Sequence, residues 1–301
     1  MYDLNKVNTH IVPVRFAYHS PSTLDEALEL LSRYRGEAKV LMGGTDLLIK
    51  MKMRAIEPSH IISLRNVKEL DYIEFDSRGV RIGAGTRLRT IEKSDEVRER
   101  FPALWEAVRV IGSIQIRNMG TVGGNLCNAS PAADTAPPLI VYGAEAVIIG
   151  PRGERRVRVE EFFKGPGKTV LEPDEILREV FIPYADDSGS VFLRLTRTSM
   201  DIAKISIAVA AWFKDAEIID CRIALGAVAP TPIRIPRAEE FLRGRRISME
   251  VLDQAGRIVS EDIKPITDAR STAWYRRAVA RVLTRDAFMI AWQRFENRRA
   301  G

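Results

Sequence analysis

Apolar residues recur three and four positions apart from Leu24, with Ala27, Leu28, Leu31 and Tyr34 on the same helical face. Pro21-Ser22-Thr23 offers a cap before them, and Asp25 or Glu26 stands where a capping box needs an acid. The pattern predicts a helix that ends at Gly36. Lys39-Val40-Leu41-Met42 reads as a short strand running straight into Gly43-Gly44-Thr45-Asp46, and 47–53 predicts a short helix. Residues 60–64, 72–75 and 80–82 read as strands. The last two are joined by the polar turn Asp76-Ser77-Arg78-Gly79. Helices are predicted over 90–98 and 102–110, the second with Pro102 in its first turn. A hairpin over 146–149 and 156–159 turns at Pro151-Arg152-Gly153, and 176–183 is a further strand.

The polar run 185–190 reads as a boundary. Strands at 191–196, 205–213, 218–219 and 222–227 follow, then helices within 238–241, 249–259 and 271–297. At 301 residues the chain is long enough for about two domains. The alternation predicts an α+β molecule. Residues 1–185, divisible near 65 into 1–65 and 66–185, form the larger unit. Residues 186–301 form a smaller α+β unit with a three-stranded antiparallel sheet and helices.

Two glycine clusters interrupt this pattern. One is Gly43-Gly44-Thr45-Asp46, directly after a strand. The other lies in a segment, 120–134, made of glycine, small polar residues and one acid, where Gly123-Gly124-Asn125 reads as a loop. A glycine pair often marks only a tight turn. It also lets backbone N–H groups converge on an anion, because no Cβ blocks close approach. Thr45, Thr121, Asn125 and Asn128 add side-chain donors. Two such clusters, far apart along the chain, suit an extended ligand carrying a diphosphate. Gly83-Ala84-Gly85 lacks the third glycine of a Rossmann fingerprint, and no Walker sequence is present.

Composition narrows the chemistry further. Hydrophobic residues make up 46% and charged residues 29%, a globular balance that excludes wholesale disorder. The net charge of +6 comes from 46 basic and 40 acidic residues interleaved along the chain, as in Arg152-Gly153-Glu154-Arg155-Arg156. A nucleic-acid partner is therefore not expected, since it needs a concentrated basic face. The basic end at 294–299 suits a helix C-terminus. Two cysteines, Cys127 and Cys221, are too few for an iron–sulfur cluster with about four protein ligands, and no CxxC is present. Cys127 lies in the glycine-rich segment, a place from which it could line a site, and is expected instead as a small buried residue. His10, His19 and His60 lack metal-ligand spacing, and no serine sits in a GxSxG elbow, so no metal site is expected in this chain. The longest mildly apolar run, 203–213, is broken by Lys204 and Ser206 and is about half a membrane span. Residues 1–15 carry no secretory pattern, so the expected compartment is the cytoplasm.

Several stretches carry a specific likeness. They are Met42-Gly43-Gly44-Thr45-Asp46-Leu47, the run from Ile116-Arg117-Asn118-Met119 through Gly120-Thr121-Val122-Gly123-Gly124-Asn125-Leu126, and Ala129-Ser130-Pro131-Ala132-Ala133-Asp134. Later landmarks are Asp174-Glu175-Ile176-Leu177, Ile182-Pro183-Tyr184 and Asp201-Ile202-Ala203-Lys204. Together they resemble the FAD-binding medium subunit of the molybdenum hydroxylases: the xanthine dehydrogenases, aldehyde oxidoreductases and aerobic carbon monoxide dehydrogenases. The resemblance spans nearly the whole chain. It implies a two-part FAD-binding domain of the vanillyl-alcohol-oxidase-like (PCMH) type.

By that resemblance, Val40, Leu41, Met42, Gly43, Gly44, Thr45, Asp46 and Leu47 would wrap the FAD diphosphate from one side. Thr121, Gly123, Gly124 and Asn125 would hold it from the other, with Asn128 adding a polar contact. Asp134 would accept from a ribose hydroxyl, and its alternative role is a helix N-cap. Ile111 and Leu177 would pack on the cofactor rings, or serve only as core. Arg194 matches a basic residue near the flavin.

Carbon monoxide dehydrogenase medium subunits usually carry His-Ser after the first glycine pair. Thr45-Asp46 leans instead toward other branches. The resemblance further implies partners: a large subunit with a molybdenum cofactor and a small subunit with two [2Fe-2S] clusters. Electrons would reach FAD from those clusters and leave to NAD⁺, a quinone, oxygen or another acceptor. A heterotrimer is expected, single or doubled. Two other readings stand beside it. One is a stand-alone flavin-dependent oxidase, for which the region after Ala185 is short and poor in histidine. The other is a non-catalytic scaffold that has lost its flavin, against which the intact glycine clusters argue.

Overall fold

A computed structural model describes residues 12–300. The chain begins with a small parallel α/β unit: β1 (Ala17–His19), α1 (Leu24–Arg33), β2 (Ala38–Leu41), α2 (Leu47–Lys52) and β3 (His60–Ser63). The three strands lie in the order β1-β3-β2. A variant of the expected capping box forms, shifted by one residue on the return bond. Thr23 accepts from the Glu26 N–H, while the Glu26 carboxylate accepts from the Ser22 N–H at 2.7 Å.

Two strands come next, β4 (Ile73–Phe75) and β5 (Gly79–Gly83), and then a run of short helices. These are α3 (Leu88–Lys93), α4 (Asp95–Arg100), α5 (Pro102–Arg109), α6 (Ile114–Met119), α7 (Val122–Cys127) and α8 (Ala136–Val141). The single helix expected over 90–98 is two helices. Ser94 adopts an extended conformation and its hydroxyl accepts from the Val97 N–H, which starts α4 afresh. The unit closes with β6 (Glu145–Gly150), β7 (Gly153–Arg158), α9 (Val159–Phe162), β8 (Phe163–Gly165), β9 (Lys168–Thr169) and β10 (Ile176–Pro183). Its antiparallel sheet runs β4-β5-β10-β6-β7.

The C-terminal part contains β11 (Ser188–Leu195), β12 (Ile205–Lys214), β13 (Glu217–Gly226), β14 (Ile233–Arg234), α10 (Pro236–Leu242), β15 (Arg245–Arg246), α11 (Met249–Asp262) and α12 (Ala273–Ala300). The three expected antiparallel strands are the long ones, β11, β12 and β13. Two strands of two residues each, β14 and β15, extend the sheet at opposite ends of β13. They are too short for a period-two pattern to reveal. The strands expected at 218–219 and 222–227 are one continuous strand.

Along β12 the alternation is of size rather than polarity. Ile205, Ile207, Val209 and Ala211 face a core shared with α11 and α12, while Ala208 and Ala210 face the core of the N-terminal part. The sheet is thus buried on both faces, and alanines let the two parts approach closely. The polar run expected as a boundary also packs. Ser188 and Ser190 are buried in β11, and a Cβ on Gly189 would strike the Ala291 carbonyl of α12. Further ties cross the same seam. The Tyr142 hydroxyl lies 2.8 Å from Ser190 Oγ and accepts from the Ala103 N–H at 3.1 Å. Arg294 reaches Glu106 and the Ser190 carbonyl, and Arg298 reaches the Ser188 carbonyl at 3.0 Å.

Candidate functional site

The two glycine clusters, about eighty residues apart in sequence, meet. A Cβ built on Gly43 would collide with the Met119 carbonyl and approach Gly120 Cα to 2.9 Å. Thr45 Oγ1 lies beside Gly120 as well. Gly44 has φ +73°, in the left-handed region that suits glycine. Only a residue without a side chain at 43 allows the β2–α2 turn to close on the end of α6.

The junction lines a cavity of about 390 Å³. Val40, Leu41, Met42, Gly43, Gly44, Thr45, Asp46 and Leu47 form one wall. Thr121, Gly123, Gly124, Asn125 and Asn128 form another, and Ile111 and Leu177 supply apolar surface. Asp134 and Arg194 are the two proposed contacts that do not line it. They are buried in a salt bridge of 2.7 Å with each other. Asp134 does not cap α8, whose N-cap is Thr135. Asp134 Oδ1 has no hydrogen-bond partner among the described residues, and burial pushes the carboxyl up to about 6 despite the opposing Arg194 charge.

The two walls differ in chemistry. Among the described residues, none of the N–H groups of Gly43, Gly44, Thr45, Asp46 and Leu47 donates to a protein acceptor, although their segment lines the cavity. Five successive free donors beside a left-handed turn form a nest for an anion. The second wall is not a loop but α7, and its donors are spent. Val122 donates to Thr86, Gly123 to Ala84, Gly124 to Thr121 Oγ1 and Asn125 to the Thr121 carbonyl. The expected delivery of N–H groups from Gly123 and Gly124 is thereby corrected. Gly123 is needed because a Cβ there would overlap Ala84, so this glycine lets α7 pack onto the end of β5. Asn125 Oδ1 also accepts from Thr135 Oγ1 at 2.6 Å.

Three cavity features escaped the sequence reading. Lys50 lines the cavity one turn into α2, and its Nζ donates to Asn128 Oδ1 at 2.7 Å. Its signal was a position four residues after Asp46 on the same predicted helix. Gly85 also lines the cavity, against the Met42 methyl, within the segment set aside for lacking a fingerprint. Arg117 is buried beneath the site. It pairs with Glu92 at 2.7 Å and donates to the carbonyls of Ile111 and Gly112, which fixes the turn that presents Ile111. Cys127 packs against the core and also lines the cavity, and desolvation pushes its thiol up to about 12, so it stays protonated.

Residues 14–185 match a family described as the FAD binding domain in molybdopterin dehydrogenase. Residues 190–291 match the CO dehydrogenase flavoprotein C-terminal domain. The glyceraldehyde dehydrogenase medium chain of Sulfolobus acidocaldarius is 34% identical over 276 residues, covering 92% of this chain and 98% of that one. The carbon monoxide dehydrogenase medium chain of Hydrogenophaga pseudoflava is 34% identical over 285 residues, covering 94% and 99%. In the solved carbon monoxide dehydrogenase of the same organism, one chain superposes with a TM-score of 0.92 at 35% identity, covering 94% of this chain and 99% of that one. For quinoline 2-oxidoreductase from Pseudomonas putida 86 the TM-score is 0.88 at 28% identity, covering 92% and 97%.

Proposed function

This chain belongs to the family of FAD-binding medium subunits of the molybdenum hydroxylases, and from that premise we propose that it carries electrons within a multi-subunit complex. It is an FAD-binding oxidoreductase subunit. The observation that carries the reading is the meeting of the two glycine segments around one cavity, with five free N–H donors along one wall.

The residues fit a flavin dinucleotide. Gly43 to Leu47 offer the diphosphate a nest of donors, and Thr45 adds a hydroxyl. Ile111 and Leu177 offer an apolar face to rings. Arg117 holds the Ile111 turn in place from below. The chemistry that FAD supplies when bound is conversion between one-electron and two-electron transfer. The chain's part is to bind, orient and shield it. Asp134 and Arg194 are locked together in a buried salt bridge and do not line the cavity, so neither is assigned a direct contact with the dinucleotide.

Among the described residues no group of three or more His, Cys, Asp or Glu side chains is placed to hold a metal ion. We assign the molybdenum cofactor to a large partner and two [2Fe-2S] clusters to a small partner, which delivers electrons to this subunit. The external acceptor takes them from it. Residues 1–185 are assigned to FAD binding, in two parts divided near 65, and 186–301 to the C-terminal unit. No described helix is long and apolar enough to cross a membrane. The two free cysteines suit the cytoplasm as the compartment.

The test is titration of the purified chain with FAD, followed by isolation of the native complex. Stoichiometric uptake, with iron and molybdenum in co-purifying chains, is expected. A well-folded chain that takes up no FAD in excess would falsify the reading.

A further inference from the structure

Asp46 and Lys50 stand four residues apart across the first turn of α2, a spacing at which opposite charges on a helix normally pair. They do not pair directly here. Asn128, from the far wall, sits between them. Its Nδ2 donates to Asp46 Oδ1 at 3.0 Å and its Oδ1 accepts from Lys50 Nζ at 2.7 Å. One neutral amide thus satisfies both charges without cancelling either. It costs the ammonium only one of its three N–H donors.

The location gives this arrangement a purpose. Lys50 is half-buried and lines the cavity on the same segment as the free N–H groups of Gly43 to Leu47. The other charged side chains on the wall do not compete with it. Glu175 is held by Arg155 at 2.6 Å, and Lys39 is exposed on the strand before the turn. A nest of neutral donors attracts phosphate oxygens, but a doubly charged linker in a partly dry cavity also needs a full positive charge. Resting on the FAD reading above, we propose that Lys50 is the counter-charge for the diphosphate of the bound dinucleotide, and that Asn128 is the positioning residue that keeps Lys50 from collapsing onto Asp46.

Two consequences separate this from a structural bridge. Removing the Lys50 charge weakens ligands that carry a diphosphate and spares those that do not. Removing Asn128 leaves every charge in place, yet lets Asp46 capture Lys50, so diphosphate binding weakens without a change in net charge.

The experiment measures dissociation constants of the full chain for FAD, ADP and riboflavin at two ionic strengths. The variants are Lys50→Met, Lys50→Arg, Asn128→Leu and Asp46→Asn, each checked for an unchanged unfolding midpoint. Lys50→Met is expected to weaken FAD and ADP about tenfold or more and to flatten their salt dependence. Riboflavin should bind as it does to wild type. Lys50→Arg should restore most of the affinity. Asn128→Leu should weaken FAD, and the Asn128→Leu/Asp46→Asn double variant should recover it. Wild type that fails to bind FAD sinks the parent reading. Wild type that binds FAD while Lys50→Met binds FAD and ADP with unchanged affinity and salt slope overturns this one alone.

Discussion

Gly43→Ala perturbs the meeting point of the two glycine segments with a single methyl group. The added Cβ would sit 2.7 Å from the Met119 carbonyl carbon and 2.9 Å from Gly120 Cα. Carbon atoms prefer separations of about 3.5–4.0 Å, so the walls must part by about 1 Å. The obstacle is backbone, so no rotamer change relieves it. Overpacking of this kind costs about 1–3 kcal/mol. The same displacement pulls the free donors of 43–47 away from α7, so FAD affinity should fall by about tenfold or more. Gly36→Ala is the control. Its φ is +83° with nothing within 4 Å of the added Cβ, so it carries backbone strain alone, about 1 kcal/mol, and it is not among the residues that line the cavity. Urea unfolding and FAD titration of both variants decide the matter. Gly43→Ala should lose stability and affinity, and Gly36→Ala only a little stability. If Gly43→Ala keeps both the wild-type midpoint and wild-type FAD affinity, the closure described at this junction is not the source of the site.

Other outcomes follow from the buried polar groups. Arg117→Met should destabilise the chain by about 3 kcal/mol, leaving Glu92 to Arg89 alone and freeing the carbonyls of Ile111 and Gly112. Denaturant midpoints would show it, and a change under 1 kcal/mol would count against a buried clamp. Tyr142→Phe should cost about 1–3 kcal/mol, because the Ala103 N–H and Ser190 hydroxyl lose their partner in the core. An unchanged midpoint would contradict that account. Asp134 should impose a pH dependence. Its ordinary carboxyl value is 3.8 and its folded value about 6, so the folded state binds more protons between them. Stability should therefore fall as pH rises from about 4 to about 6 in wild type relative to Asp134→Asn. Parallel pH profiles for the two proteins would refute it.

The elements legible in sequence were those with local signals. The capping box at Thr23 and the hairpin turn at Asp76 to Gly79 carry their own chemistry within four residues. The split at Ser94 had a local signal too, a serine cap followed by Asp95 and Glu96, but the apolar spacing running across it masked the break; the two-residue strands β14 and β15 carry none, because pairing with β13 defines them. The cavity walls were readable as motifs, and the segment 40–47 reached the cavity as expected. Which wall keeps its donors free was not readable. That depends on Ala84 and Thr86 lying under α7, a tertiary fact with no trace in the spacing of Gly123 and Gly124. Lys50 was passed over because its role depends on Asn128, distant in sequence and opposite in space. Asp134 and Arg194 were both singled out, but their mutual pairing is visible only in three dimensions.

The closing helix α12 has a consequence for how the protein is made. Arg294 and Arg298 reach back to Glu106, to the carbonyls of Ser188 and Ser190, and to the carbonyl of Glu99. A ribosome releases the nucleotide-binding half long before it polymerises those arginines, at about 5–20 residues per second. Through that interval Glu106 waits without its cation, and the inner alanine face of β12 waits without a finished outer layer. Docking of the two halves is thus finished in stages: the Tyr142–Ser190 contact and the alanine face of β12 can form first, and the clasp of Arg294 and Arg298 closes over them afterwards.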